Sequence, residues 1–105
     1  MAKYLLAYTG DATQPATEDE GKAIMDEWIA WFTTIDKAVA DPGNPTGPSA
    51  SVAPDGSVSD GGASGISGYS VISADSLDAA TTIAKSCPHL AAGGTVEVYE
   101  TFDAM

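Results

Sequence analysis

The sequence predicts an α+β fold: a ferredoxin-like βαββαβ sandwich with two helices on one face of a four-stranded antiparallel sheet. Three observations predict it. An apolar run opens the chain at residues 4–8, and an apolar stripe at helical spacing follows between residues 17 and 40. The last third then adds a β-rich run, a second helical stripe and an alternating run. The 105 residues suit one domain covering 1–105, since a chain of this length buries about two-thirds of its unfolded surface without needing a metal or disulfide.

In the opening run Tyr4, Leu6 and Tyr8 share one face and Leu5 and Ala7 the other. Apolar residues on both faces mark a buried strand. Thr17, Glu18, Asp19 and Glu20 fit a capping box, in which the Thr17 hydroxyl accepts from the amide three residues on and Glu20 reaches back to the cap. Ile24, Trp28, Trp31, Phe32, Ile35 and Val39 recur at steps of one, three or four, drawing one broad stripe along a helix from residue 17 to about residue 40. Pro42 and the glycine after it stop this helix, because proline has no amide hydrogen and disfavours helical geometry at Asp41.

Residues 43–68 differ in composition: of these 26, seven are Gly, three Pro and six Ser. A structureless loop that long is uncommon in a compact domain, so short strands are expected within it. Residues 48–53 read as the second strand of the sandwich, and Ser57 and Val58 as a stub returning through the Asp55-Gly56 turn. Residues 68–73 are β-rich, and Asp75 or Ser76 can cap a second helix with Leu77, Ala80, Ile83, Ala84 and Cys87 as its buried stripe. Pro88 marks its end, and Gly93-Gly94 lets the chain turn. Residues 95–102 alternate as a half-buried strand, with Val96, Val98 and Phe102 on one side and Glu97, Tyr99 and Thr101 on the other. Helices on one face leave the other uncovered. Leu5, Ala7, Ile72 and Tyr99 are expected there and are too apolar for water, so the sequence predicts a homodimer joined through its sheets.

Fifteen acidic and four basic side chains give a net charge of -11. All four basic residues are lysines (Lys3, Lys22, Lys37, Lys85), so no guanidinium fork exists to grip phosphate or guanine, and nucleic acid is not an expected partner. Nor is a membrane: there is no polybasic patch, and the longest wholly apolar runs are five residues. Cys87 is alone, which excludes an intrachain disulfide and favours a cytoplasmic setting. One thiolate cannot hold an iron–sulfur cluster, and no cofactor is expected.

Three blocks of sequence look familiar: Val58-Ser-Asp-Gly-Gly62, Gly65-Ile-Ser-Gly-Tyr-Ser-Val-Ile-Ser-Ala-Asp-Ser-Leu-Asp-Ala-Ala80, and Cys87-Pro-His-Leu-Ala-Ala-Gly-Gly-Thr-Val-Glu-Val-Tyr99. Together with Trp28-Ile-Ala-Trp31 and Asp41-Pro-Gly-Asn-Pro45, they make nearly the whole chain resemble the YCII-related or DGPF-type family. The resemblance implies a ferredoxin-like protomer, a dimeric α+β barrel, and in some relatives dehalogenation-type chemistry. The name-giving Asp-Gly-Pro-Phe tetrad is here Asp60-Gly-Gly-Ala63. The YCII branch is associated with a His and Asp pair; Asp36 matches its Asp, but no His stands in the first helix of this chain.

His89 is the one side chain whose ordinary titration lies near neutrality, which makes it the first candidate acid or base, with Asp36 or Asp41 to orient it. Equally open is a ring that pins the turn before Gly93 by bonding a backbone carbonyl. Trp28 and Trp31, with Tyr8 and Tyr69, could line a pocket for a small metabolite or belong to the core. Cys87 is expected as buried packing rather than a nucleophile, and the acids at 18–20 as partners of a helix dipole rather than metal ligands. Two functions stand side by side: a pocket with His/Asp acid-base chemistry, or a ligand-sensing or interaction module without catalysis.

Overall fold

The computed structural model describes residues 2–104. Six strands and three helices follow one another: β1 (Ala2–Thr9), α1 (Glu18–Thr34), β2 (Val39–Asp41), β3 (Ala50–Val52), β4 (Val58–Asp60), β5 (Gly68–Ala74), α2 (Leu77–Ala84), α3 (Pro88–Ala91) and β6 (Thr95–Glu100). The main sheet has the order β2-β5-β1-β6 with every pair antiparallel. This is the split βαβ arrangement expected of a ferredoxin-like sandwich.

Local chemistry accounts for the helix starts. Thr17 Oγ1 accepts from the Glu20 amide at 3.1 Å, while Glu20 Oε2 accepts from the Ala16 amide at 2.7 Å. The box thus closes one residue further back than the cap itself. At α2 it is Ser76, not Asp75, that caps, accepting from the Ala79 amide at 3.1 Å. Of the stripe expected to be buried, Ala80, Ala84 and Cys87 are, whereas Leu77, in the first turn, is 47% exposed.

Four expectations are corrected. The first helix ends at Thr34, not near residue 40: a 3₁₀ turn at Asp36–Ala38 reverses the chain, and Val39 pairs with Ile72 as sheet. The second strand of the sandwich is therefore β2 rather than residues 48–53. Those residues contribute β3, which pairs only with β4 in a separate two-stranded sheet. Pro88 does not merely end α2 but opens the short α3, since its missing amide costs nothing in a first helical turn. Finally, Ile72 sits opposite Tyr4 and is fully buried beneath the helices, so the uncovered face carries Val71 instead.

Tyr4, Leu6, Tyr8, Trp31, Ile72 and Cys87 form the centre of the core, with Val96 and Val98 packed against it. On the uncovered face the register sets Leu5 beside Val71 and Tyr99, and Ala7 beside Tyr69 and Glu97.

Candidate functional site

Where α1 leaves the sheet, a cavity of about 560 Å³ opens between the helix, the end of β1, the start of β5 and the segment after β2. Its helical wall presents Ile24, Met25, Trp28 and Phe32, while Tyr8, Ser70 and His89 supply polar atoms. The volume and apolar lining fit a small organic ligand. Two spacings build the helical wall: Trp28 and Phe32 lie four residues apart on one face, and the Trp28 ring meets the Tyr8 ring edge-on with centroids 5.1 Å apart.

The polar atoms form two short chains. Tyr8 Oη donates to Ser70 Oγ at 2.6 Å, and Ser70 donates in turn to the Pro42 carbonyl at 2.7 Å. His89, on α3, lies against Tyr8 with ring centroids 5.4 Å apart and is 7% exposed. Its Nε2 stands 2.7 Å from the Thr9 carbonyl. A carbonyl only accepts, so Nε2 carries the proton and Nδ1 holds the free lone pair when the ring is neutral. Nδ1 makes no hydrogen bond among the described residues, and none of their buried side-chain nitrogens or oxygens lacks a partner. Nδ1 is therefore the ring atom that solvent or a ligand reaches. Gly94 is required beneath this ring, because a Cβ there would collide with the imidazole. Gly43 is required too: its φ is +73°, and a Cβ would fall on the Tyr69 carbonyl oxygen.

Burial holds the proton on Tyr8, moving its hydroxyl well above the ordinary phenol range against the opposing pull of the Ser70 hydrogen bond. Burial likewise pushes the Cys87 thiol up to about 11, although the His89 amide and the Tyr8 hydroxyl beside it favour the thiolate. Such a thiol is protonated near neutrality and inert as a nucleophile.

Of the residues singled out in the sequence, the cavity brings together Tyr8, Trp28, Tyr69 and His89. Tyr69 springs from the strand face opposite Ser70, where its cross-strand partner is Ala7. Trp31 lies instead in the core, 5% exposed, with Nε1 donating to Ser86 Oγ at 2.8 Å. Asp36 and Asp41 are exposed and do not line the cavity; the Asp41 carboxylate accepts from the Gly43 amide at 2.8 Å. Ser70 went unread in the sequence, yet a signal existed. It falls in phase with Ile72, a polar residue at an inward position of an apolar strand.

Among the described residues no three His, Cys, Asp or Glu side chains gather as a metal-binding group, and no helix is long and apolar enough to cross a membrane.

Fold and cavity together define an α+β ferredoxin-like chain with a helix–sheet pocket. Among solved structures the chain is similar to 5-chloro-2-hydroxyhydroquinone dehydrochlorinase (TftG) from Burkholderia phenoliruptrix AC1100, in complex with 2,5-dihydroxybenzoquinone, with a TM-score of 0.55 and 16% identity over 96% of this chain and 93% of that one. Identity that low establishes a shared fold. No protein-family model and no curated protein matches the chain.

Proposed function

We propose that this protein binds a small planar metabolite, a hydroxylated aromatic or quinone ring, in the cavity under α1, and that His89 exchanges a proton with it. The observation that carries this is His89 on the wall of an aromatic-lined cavity beside the buried Tyr8–Ser70 pair, with Nδ1 free of any hydrogen bond among the described residues. A flat ring suits walls made by Trp28, Phe32 and Tyr8, which offer π-faces and edges. The likeness to TftG, whose structure holds such a ring, supports the reading. On this reading the chain is a relative of the YCII-related family in one domain. It works in the cytoplasm as a homodimer joined through the uncovered sheet face, and His89 acts without Asp36 or Asp41 as its orienting group. The Thr9 carbonyl takes that role, fixing the tautomer that leaves Nδ1 basic.

A second reading has its own support. A ring held by a backbone carbonyl with no carboxylate on the cavity wall also suits a ligand-sensing module without catalysis.

Calorimetric titration with benzene-1,4-diol and 2,5-dihydroxybenzoquinone tests the pocket. At least one should bind, and Trp28→Ala should weaken that binding about tenfold or more, the loss expected of an aromatic anchor. No binding of either ring overturns the proposal. Deuterium uptake at the ring carbons of whichever of the two rings binds, followed by NMR, then separates the two readings. His89→Gln, which keeps a donor for Thr9, should abolish any acceleration; equal uptake with and without protein leaves only the sensing module.

A further inference from the structure

Hydrogen-bond direction decides what kind of ligand the cavity can satisfy. The protons on its most buried polar side chains can be followed to their acceptors. Tyr8 gives its hydroxyl proton to Ser70, and Ser70 gives its own to the Pro42 carbonyl. Ser67, also on the wall, directs both its amide and its hydroxyl to the Tyr8 carbonyl, at 2.8 and 3.2 Å. His89 commits Nε2–H to the Thr9 carbonyl. Each of these chains ends on a backbone carbonyl, an atom that can only accept, so none can be reversed by rotating hydroxyl protons. What the buried part of the cavity leaves for a ligand is lone pairs, on Tyr8 Oη and on His89 Nδ1; Ser70 is fully buried and its hydroxyl is engaged on both sides.

Charge points the same way. Among the described residues no Lys, Asp or Glu lines the cavity, and the titratable residues on its wall are Tyr8, Tyr69 and His89. Asp41 lies beside the cavity's Gly43, while Glu20 and Glu27 line a second groove of similar volume, about 570 Å³, that shares Trp28 and His89 with it. The other donors on the walls are neutral and belong to half-buried or exposed residues: the Trp28 indole N–H, the Tyr69 hydroxyl, the Asn44 amide and the Gln14 amide, which gives one proton to the Ala12 carbonyl at 3.4 Å. An anionic oxygen would meet acceptors in the buried part of the cavity and carboxylates around it, with no cation in the lining to repay its desolvation.

We infer that the cavity selects its ligand as a neutral hydrogen-bond donor: a ring hydroxyl in its protonated form, in preference to its phenolate, its ether or a ring bearing a carboxylate. This rests on the proposed pocket and adds a polarity to it.

Two measurements on the wild-type chain test this without relying on any variant. In calorimetry benzene-1,4-diol should bind at least about tenfold more tightly than 1,4-dimethoxybenzene, the difference expected when buried acceptors lose one hydrogen-bonded partner. In absorbance titration 4-nitrophenol, whose ionisation near neutral pH changes its colour, should show a bound pKa raised by about one unit or more, equivalent to tenfold tighter binding of the phenol than of the phenolate. Equal affinity for diol and diether, or a lowered nitrophenol pKa, would overturn the donor requirement while leaving a ring-binding pocket in place. Failure of every ring to bind would overturn the pocket and this inference together. Tyr8→Phe should bring the diol and diether affinities closer, because it removes an acceptor oxygen from the cavity.

Discussion

Tyr8 and Cys87 are the residues at which burial shapes titration most. Both keep their protons in the folded chain at pH values where the unfolded chain has released them, so between those values the folded state binds more protons. By linkage the stability they contribute is complete below the unfolded values and declines as pH rises. For Cys87 the decline spans the ordinary thiol value of 9.0 up to about 11. For Tyr8 it begins at 10.0 and continues beyond that window. Urea midpoints should therefore start to fall above pH 9.0, one unit before any tyrosine contributes. Cys87→Ala, though it lowers the plateau by opening a small void, should flatten the curve between pH 9.0 and 10.0. A slope unchanged by that substitution would show that the thiol is not the group responsible.

At the scale of elements, α1 carries the aromatic wall, and its first turn is the part most open to a single substitution. Thr17→Ala removes the acceptor for the Glu20 amide and should cost about 1 kcal/mol, measured by chemical denaturation. Ring binding in the cavity should survive, because Trp28 and Phe32 lie two turns or more further along. This cap was legible in the sequence because it depends only on local spacing. The far end was not. Ile35 and Val39 continue the apolar period across the true helix end, and periodicity alone cannot tell a further helical turn from a 3₁₀ reversal into a strand. The three residues of β2 are too few to alternate visibly, and β2 is recognised only by its partner β5. The middle segment shows the converse. Its hairpin was readable from the Asp55-Gly56 turn, but Val52 and Val58, directly opposite each other, are 70% and 68% exposed, so no core contact specified where it belongs. The site divides in the same way. Trp28, Tyr8 and His89 declare themselves by residue type, whereas Ser70 and the Thr9 carbonyl matter through partners many residues away.

The described chain measures 44 × 39 × 18 Å, and its radius of gyration of 15.1 Å exceeds the roughly 13 Å expected of a compact domain this long. Its smallest dimension matches one helical layer on one sheet, each about 10 Å thick, so among the described residues no second layer packs on the other face of the sheet, where Ala7 is buried by its strand neighbours but Leu5 and Val71 are half-exposed. Leu5, Val71 and Tyr99 lie side by side at its centre, and Tyr99 is 51% exposed. Apolar burial there drives the proposed dimer, while charge opposes it. Each chain carries -11, so two bring together -22, spread over a surface with only four lysines per chain to offset it. Salt screens that repulsion over a Debye length of about 10 Å at 0.1 M and leaves the apolar contact intact, so the dimer should tighten as salt is added, the reverse of an interface held by ion pairs. Sedimentation equilibrium at micromolar concentration should give twice the chain mass, with a dissociation constant that falls between low and moderate salt. Leu5→Glu places a charge at the centre of the face and adds to the repulsion, and it should leave a folded monomer at every salt concentration. A wild-type mass of one chain throughout, or a dimer indifferent to Leu5→Glu, would rule out association through this face.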